Sequence, residues 1–557
     1  MKKLFLISLF VCVGILQSFA DNFGYTDGSG MTWYCSEIDS TSVYIYTPAV
    51  YQNEMVIPEK VYNGTKEYTV TRISFTFMDN KTLEEVTWPS TVTEIPDNMF
   101  QNCSNLKTVE NVRKVTSISS NAFWNCNNLI ELDLGSCKIE SSVFSGCSNL
   151  QSIGESAKCT SVGDGAFSGC SSLEKIDLSM CTSVGQNAFY GCSSLQTVGN
   201  PKFTSIPDYA FSGCSSLENI DLSMCTSVGS SAFSGCSSLA KIDLSKCASV
   251  GSSAFSGCSS LQSVGNPKLT SIPDYAFSDC SSLENIDLSM CTSVGSSAFS
   301  GCSAITEVDL STCKNIGSSA FGDCCGLLSA DLPKVESLGD CAFLRSGITK
   351  ISLPETLKSM GYHCFDKVTE YTFNGTQPAV LHAPTFDEPA YLIRVPESAI
   401  DTYKAADIWK NYADIIFSIS DQLDYDVTTT AMDNQSGLEK VIGATNMKKV
   451  FSLKATGTIN GYDIFMIRTK MTHLKNLDLT DADIVTNGFA YYNSYSTENN
   501  IVGSYSFYDL DNLVTLKLPK NAVTIGDYAV ASCSSLESVD FPKSLKNINE
   551  NSFDGCI

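Results

Sequence analysis

Histidine is the scarcest reactive side chain in this sequence: His363, His382 and His473 are the three present in 557 residues. Three scattered imidazoles leave little from which to build a catalytic triad or a metal centre. His363 precedes Cys364, which suggests a thiol–imidazole pair, but neighbours in a strand face opposite sides, so a structural role is expected. Residues 372–500, with loops such as Tyr491–Ser496, offer the one stretch where a glycan-active site could hide. No acid/base pair or nucleophile constellation stands out there. The chain reads as a non-enzyme without a cofactor.

Cysteine is abundant instead, with 25 copies falling mostly into two columns. One column includes Cys103, Cys126, Cys192, Cys236 and Cys324; the other holds Cys137, Cys181, Cys225, Cys247, Cys291 and Cys313. An exported chain rich in cysteine invites a disulfide reading. Column neighbours would lie within disulfide range, yet equivalent side chains of stacked units point the same way, which suits a disulfide poorly. Free core thiols are expected, because a small buried group fits such positions. Zinc is not expected, since paired C-x-x-C knuckles are missing and Cys324-Cys325 has no nearby partners.

Aspartate forms a third column: Asp133, Asp177, Asp221, Asp243, Asp287, Asp309 and Asp331, interrupted by Gly154, Gly199 and Gly265. On neighbouring strands about 5 Å apart these carboxylates should repel, and their pKa values should rise unless something compensates. Asp177, Asp221, Asp243, Asp287, Asp309 and Asp331 are therefore the candidate binding residues, a concave acidic strip for a basic protein patch or, more weakly, Ca²⁺. The bland alternative is a solvated face that keeps a long, apolar-cored chain soluble. A formal net charge of -24 fits both readings and disfavours nucleic acid and anionic lipid as partners.

The elements that must position these columns follow from a phenylalanine ladder running from Phe77 through Phe100, Phe123 and Phe144 to Phe365. Its period is 22 residues in every step from Phe167 onward. Such self-similarity predicts a solenoid, β-rich and of α/β type, in which each coil stacks on the next through short parallel strands. Residues 173–194 show the unit, Leu173-x-x-Ile176-x-Leu178-x-x-Cys181, which matches the leucine-rich repeat pattern in its first nine positions. Ile176 and Leu178 are two apart and must share the inner side of a strand; Lys175, Asp177 and Ser179 then face outward. One coil type reads Ile-Asp-Leu-Ser, as at Ile220–Ser223, and the other Val-Gly-Asn-Pro, as at Val198–Pro201. Residues 173–238 recur with few changes as 239–304, so a three-coil block was duplicated whole.

In chain order, residues 1–20 have the zones of a secretory signal peptide, which predicts export. Residues 21–70 are expected to form an N-terminal β cap, with strands Ser42–Tyr46 and Glu67–Thr71 flanking the turn-prone Asn63-Gly64. The repeat array spans 71–371. Residues 372–420 close it with a strand and a short helix carrying Ile400, Tyr403 and Trp409 at helical spacing. A spacer or second cap covers 421–500, and a second array resumes over 501–557 at Phe507, Val530 and Phe553. The text stops in mid-repeat, as a fragment would. No run approaches the roughly 20 apolar residues of a membrane helix.

The repeats resemble the BspA-like bacterial surface leucine-rich repeat family, whose units carry I-x-x-x-A-F-x-x-C-x-x-L. The match is clear in Ile206-Pro-Asp-Tyr-Ala-Phe-Ser-Gly-Cys-Ser-Ser-Leu217 and again in Val523–Leu536. Many coils have Ser where the family has Pro after the strand. The resemblance implies a secreted or cell-surface bacterial protein that adheres to host or microbial surfaces through an extracellular protein or surface glycoconjugate. It does not indicate which ligand. The rival expectation is a structural spacer that displays another module.

Overall fold

The computed structural model describes residues 22–154, 157–265, 267–382, 386 and 392–556. The signal-peptide reading falls on residues 1–20, outside them. Two compact units are present: one runs to Ile393 and takes in Asp401–Ile415, and the other comprises Arg394–Ile400 and Ile416–Ile557.

The first unit begins with a five-stranded sheet. Asn22–Thr26, Thr32–Glu37 and Ser42–Pro48 run antiparallel in succession, and Lys66–Ile73 then pairs in parallel with Ser42–Pro48 and antiparallel with Lys60–Asn63. Alternation explains the sheet: Val43, Ile45, Tyr68 and Val70 are buried on one face while Tyr44 and Thr69 lie between them on the other. Trp33 is fully buried and its indole N–H donates to Asp27 Oδ2 at 2.9 Å, so its one polar atom is satisfied.

Beyond the cap the chain winds into coils held by three repeating contacts. Every consecutive ring pair from Phe77 to Phe365 is stacked; centroids are 5.5 Å apart for Phe233–Phe255 and 5.0 Å for Phe100–Phe123. Burying one such ring is worth on the order of 2–3 kcal/mol, comparable with each of the aliphatic side chains buried in the same coil, such as Leu173, Ile176 and Leu178. Each ladder cysteine donates its thiol to the carbonyl of the phenylalanine one coil back, as Cys236 does to Phe211 and Cys258 to Phe233, both at 3.1 Å. The turns around each ring need left-handed backbone at two places. Two residues before the ring it is met by Asn121, Asn187, Ser231 or Tyr275, and two after it by Gly213 or Gly235 at φ of 77° and 75°. Those glycines supply positive φ without the Cβ penalty.

The strands differ from expectation. Regular parallel pairing occurs at the Ser-Val and Ser-Ile dipeptides, Ser205–Ile206 with Ser227–Val228 and then Ser249–Val250, and again from Ser271–Ile272 to Val380–Leu381. The Ile-Asp-Leu runs, read as the strands, form isolated bridges such as Asn219 to Lys241 and Asp309 to Asp331, with backbone hydrogen bonds such as the Leu244 amide to the Val264 carbonyl at 3.0 Å, and no regular ladder. In these coils the aspartate takes the amide of the serine two residues on, and the chain turns there.

The closing segment departs from the expected helix. Ile400–Ala405 is helical, but Ile408 adopts φ of 65° and Trp409 begins a separate 3₁₀ segment, Trp409–Ile415. Trp409 therefore meets Tyr403 by a reversal of the chain, at 4.8 Å and edge-on, and both are tied down: Trp409 Nε1 donates to the Ala379 carbonyl and the Tyr403 hydroxyl to that of Gly375.

In the second unit, parallel strands lie in the order Asp424–Thr429, Ser452–Ile459, Asn476–Asp478, Thr515–Lys517, Ser538–Asp540. Residues 424–478 thus supply the first three strands of the sheet that the later coils extend. Helices Gly437–Ile442 and Gly461–Lys470 connect the first strands. The second helix starts with a capping box between Asn460 and Asp463. Asp463 is fully buried, and its carboxylate accepts from the Ser436 hydroxyl at 2.6 Å and from the amides of Leu438 and Asn460 at 2.9 and 3.0 Å.

Candidate functional site

Asp177, Asp221, Asp243 and Asp287 each follow a buried isoleucine of the inner side, whereas Asp309 and Asp331 follow the half-buried Val308 and Ala330. Asp177 is half-buried; Asp221, Asp243, Asp287, Asp309 and Asp331 are exposed. Five of them share one arrangement that the column alone did not reveal. Oδ1 of Asp177, Asp221, Asp243, Asp287 and Asp309 accepts the amide of Ser179, Ser223, Ser245, Ser289 and Ser311, at 2.8–3.0 Å. The signal was present as a recurring Asp-x-Ser.

This geometry corrects the expected upward pKa shift. Ser179, Ser289 and Ser311, through hydroxyl and then amide, hold Asp177, Asp287 and Asp309 below the usual carboxylate range; for Asp221 the Ser223 amide contributes most. Repulsion between Asp287 and Asp309 is the smallest contribution at Asp287. Hydrogen bonds to the charged form win over like charge across water-exposed strands. Asp177, Asp221, Asp287 and Asp309 are therefore held in their ionised form at neutral pH.

The glycine interruptions shape that row. A Cβ on Gly199 would lie 3.0 Å from Asp177 Oδ1, and one on Gly265 would lie 2.9 Å from Asp243 Oδ1. Both glycines also have positive φ, 71° and 70°. Each therefore leaves room for the carboxylate of the coil before it. Shallow recesses open at these points: about 200 Å³ lined by Gly154, Lys175, Asp177, Thr197 and Gly199, and about 370 Å³ lined by Asp221, Lys241, Asp243, Ser263 and Gly265. Asp133, further along, is paired with Arg113 at 3.2 Å.

The other reactive groups are built into the scaffold. His363 sits in a turn at φ of 46°, not in a strand, and its ring lies edge-on to Tyr362. Cys364 beside it is buried and donates to the carbonyls of Gly339 and Gly361. His473 Nδ1 meets the Lys448 carbonyl at 2.8 Å. The described cysteines are free thiols, and burial pushes column members upward, Cys137 to about 11 and Cys313 to about 12. Among the described residues, no group of three or more His, Cys, Asp or Glu side chains comes together as a metal site. No helix among them is long and apolar enough to cross a membrane.

Solved structures with the same kind of architecture include a leucine-rich cell surface protein from Faecalibacterium prausnitzii, 24% identical over 61% of this chain and 90% of its own, with a TM-score of 0.37. A leucine-rich repeat protein from Bacteroides ovatus is 18% identical over 95% of this chain and 91% of its own, with a TM-score of 0.33. At such scores the neighbours add no argument to the one made by the coils. No curated protein matches. The model of the BspA type leucine rich repeat region matches in six copies, over residues 71–196, 169–268, 248–372 and 483–557, which is more than half of the sequence. The chain belongs to the BspA-type leucine-rich repeat family.

Proposed function

We propose that this chain is an exported, non-catalytic binding protein of a bacterial surface, and that it mediates adhesion by presenting its aspartate face to an extracellular protein or glycoconjugate with basic patches. One observation carries the reading: the carboxylates of Asp177, Asp221, Asp243, Asp287 and Asp309 sit at equivalent backbone positions, each with Oδ1 held by the amide of the serine two residues on. Such an array is pre-organised for cationic groups, which lowers the ordering cost of binding. Its charge also predicts fast, salt-sensitive capture.

The test is binding of the mature protein to immobilised extracellular-matrix proteins, mucins and whole bacterial cells at low and high salt. Replacing Asp287, Asp309 and Asp331 together by Asn should weaken capture several-fold at low salt. Unchanged binding would remove the aspartate face from the reading.

The copied block, residues 239–304, favours a second reading in which the array is a spacer. Deleting those residues would then leave binding by the remainder intact.

A further inference from the structure

The second unit carries a cluster of five tyrosines that the aspartate face does not explain. The hairpin of Ala490–Tyr492 and Tyr495–Ser496 sets Tyr492 opposite Tyr495. The coils that follow bring up Tyr505, Tyr508 and Tyr528. Tyr505 is the hub: its ring centroid lies 4.8 Å from that of Tyr492, 5.3 Å from Tyr495, 5.4 Å from Tyr508 and 5.2 Å from Tyr528. Tyr505 and Tyr528 are nearly coplanar in stacking, at 11°.

These rings are not core. Tyr495 is 40% exposed, and Tyr492, Tyr505, Tyr508 and Tyr528 are half-buried. Tyr491 shows what a structural tyrosine looks like here, being buried with its hydroxyl donating to the Ser504 carbonyl at 2.8 Å. Tyr505 and Tyr528 occupy the left-handed turn position, φ 61° and 55°, as Tyr209 and Tyr275 do in the first unit, so the coil geometry itself sets these two rings side by side.

The platform is also pre-set. The Arg468 guanidinium lies 4.5 Å from the centre of the Tyr492 ring, and it donates to the carbonyls of Tyr508 and Tyr491, both at 3.3 Å. Asn551 continues the turn column and its amide donates to the Tyr528 hydroxyl at 2.9 Å. Rigid, flat, amphipathic rings edged by hydroxyls and an amide suit a ligand with an apolar C–H face and a polar rim. Arg468 is engaged by carbonyls and a ring, and the flanking Glu498, Asp509, Asp527 and Glu550 are acidic, so charge opposes an anionic ligand.

We infer that Tyr492, Tyr495, Tyr505, Tyr508 and Tyr528 form a binding platform for a neutral polysaccharide, whose pyranose faces stack on the rings. The inference stands on the second unit alone and goes beyond the adhesion reading. Native gels of the full mature chain, cast with galactomannan, xyloglucan or mixed-linkage β-glucan, test it, with polygalacturonate as the acidic comparison and a proline-rich peptide titrated separately. Retardation by a neutral polysaccharide is expected, with about tenfold weaker binding after Tyr495→Ala or Tyr505→Ala and near-normal binding after Tyr505→Phe. The triple Asp→Asn variant should bind as the parent does, which keeps this platform separate from the aspartate face. Retardation by none of the three neutral polysaccharides, by polygalacturonate alone, or binding of the peptide alone would overturn the inference. So would parental affinity in Tyr495→Ala, a peripheral change that decides the matter even if Tyr505→Ala unfolds.

Discussion

The Cys236 thiol reaches back across the gap between coils and donates to the Phe211 carbonyl at 3.1 Å, and the same contact recurs along the ladder. Removing it takes one of two donors from that carbonyl, which keeps the Cys214 amide at 3.2 Å, and leaves a small void. Cys236→Ala should therefore cost about 1–2 kcal/mol, read as a lower urea midpoint with an unchanged slope. Cys236→Ala with full parental stability would show that the contact adds nothing.

The same thiols bear on redox chemistry. All 24 cysteines among the described residues are free thiols. Titration of the denatured, unreduced protein should give close to that value. In the folded protein at pH 8 the exposed Cys325 should react first and buried thiols such as Cys181 and Cys313 slowly, because burial keeps these protonated. A denatured value near two per chain would mean that the columns are oxidised.

Ser253 adopts φ of 56° two residues before Phe255. Glycine takes that conformation freely, so Ser253→Gly should stabilise the array by up to about 1 kcal/mol, whereas Ser253→Val should destabilise it by more. Thermal melts of the two variants decide the sign.

Acid should loosen the aspartate face. Asp177, Asp221, Asp287 and Asp309 have folded pKa values below the unfolded value, so their stabilisation is complete above the unfolded pKa, near pH 4, and is lost as pH falls through the folded values. Replacing all four by Asn should lower the melting temperature near neutral pH and reduce its fall between pH 5 and pH 2, so that parent and variant converge in acid. An equal fall in parent and variant would count against these groups.

Asp463 offers the sharpest test of the second unit. Asp463→Ala would strand the Ser436 hydroxyl and the amides of Leu438 and Asn460 in the interior, at a cost of roughly 3–5 kcal/mol. Two melting transitions, with the loss confined to one of them, are expected by calorimetry.

The coil was legible because its determinants repeat: a ring every 22 residues, an alanine before it and a cysteine after it can satisfy burial in only one stacked arrangement. Less legible was which extended run would become the regular ladder. Ser205-Ile206 and Ile220-Asp-Leu222 look equally strand-like, and the difference lies in the Asp221 carboxylate capturing the Ser223 amide. That local competition reversed the pKa direction too. Trp409 fell at helical distance from Tyr403 in the text, yet Ile408 breaks the helix between them. The tyrosine platform was half visible as Tyr491–Ser496. Its hub, Tyr505, comes from the next coil, so the grouping depends on coil registration that no local pattern spells out.

Gly199 beside Asp177 has an implication for how such a surface evolves. A coil of one type adds a carboxylate above buried Leu178 and Cys181, and a coil of the other leaves a hollow next to it, with Pro201 and Phe203 buried in their place. The order of coil types is thus a two-letter script for relief and charge, written jointly on the face and on the interior beneath it. Shuffling whole coils would carry each face together with its own filling, giving one scaffold many faces.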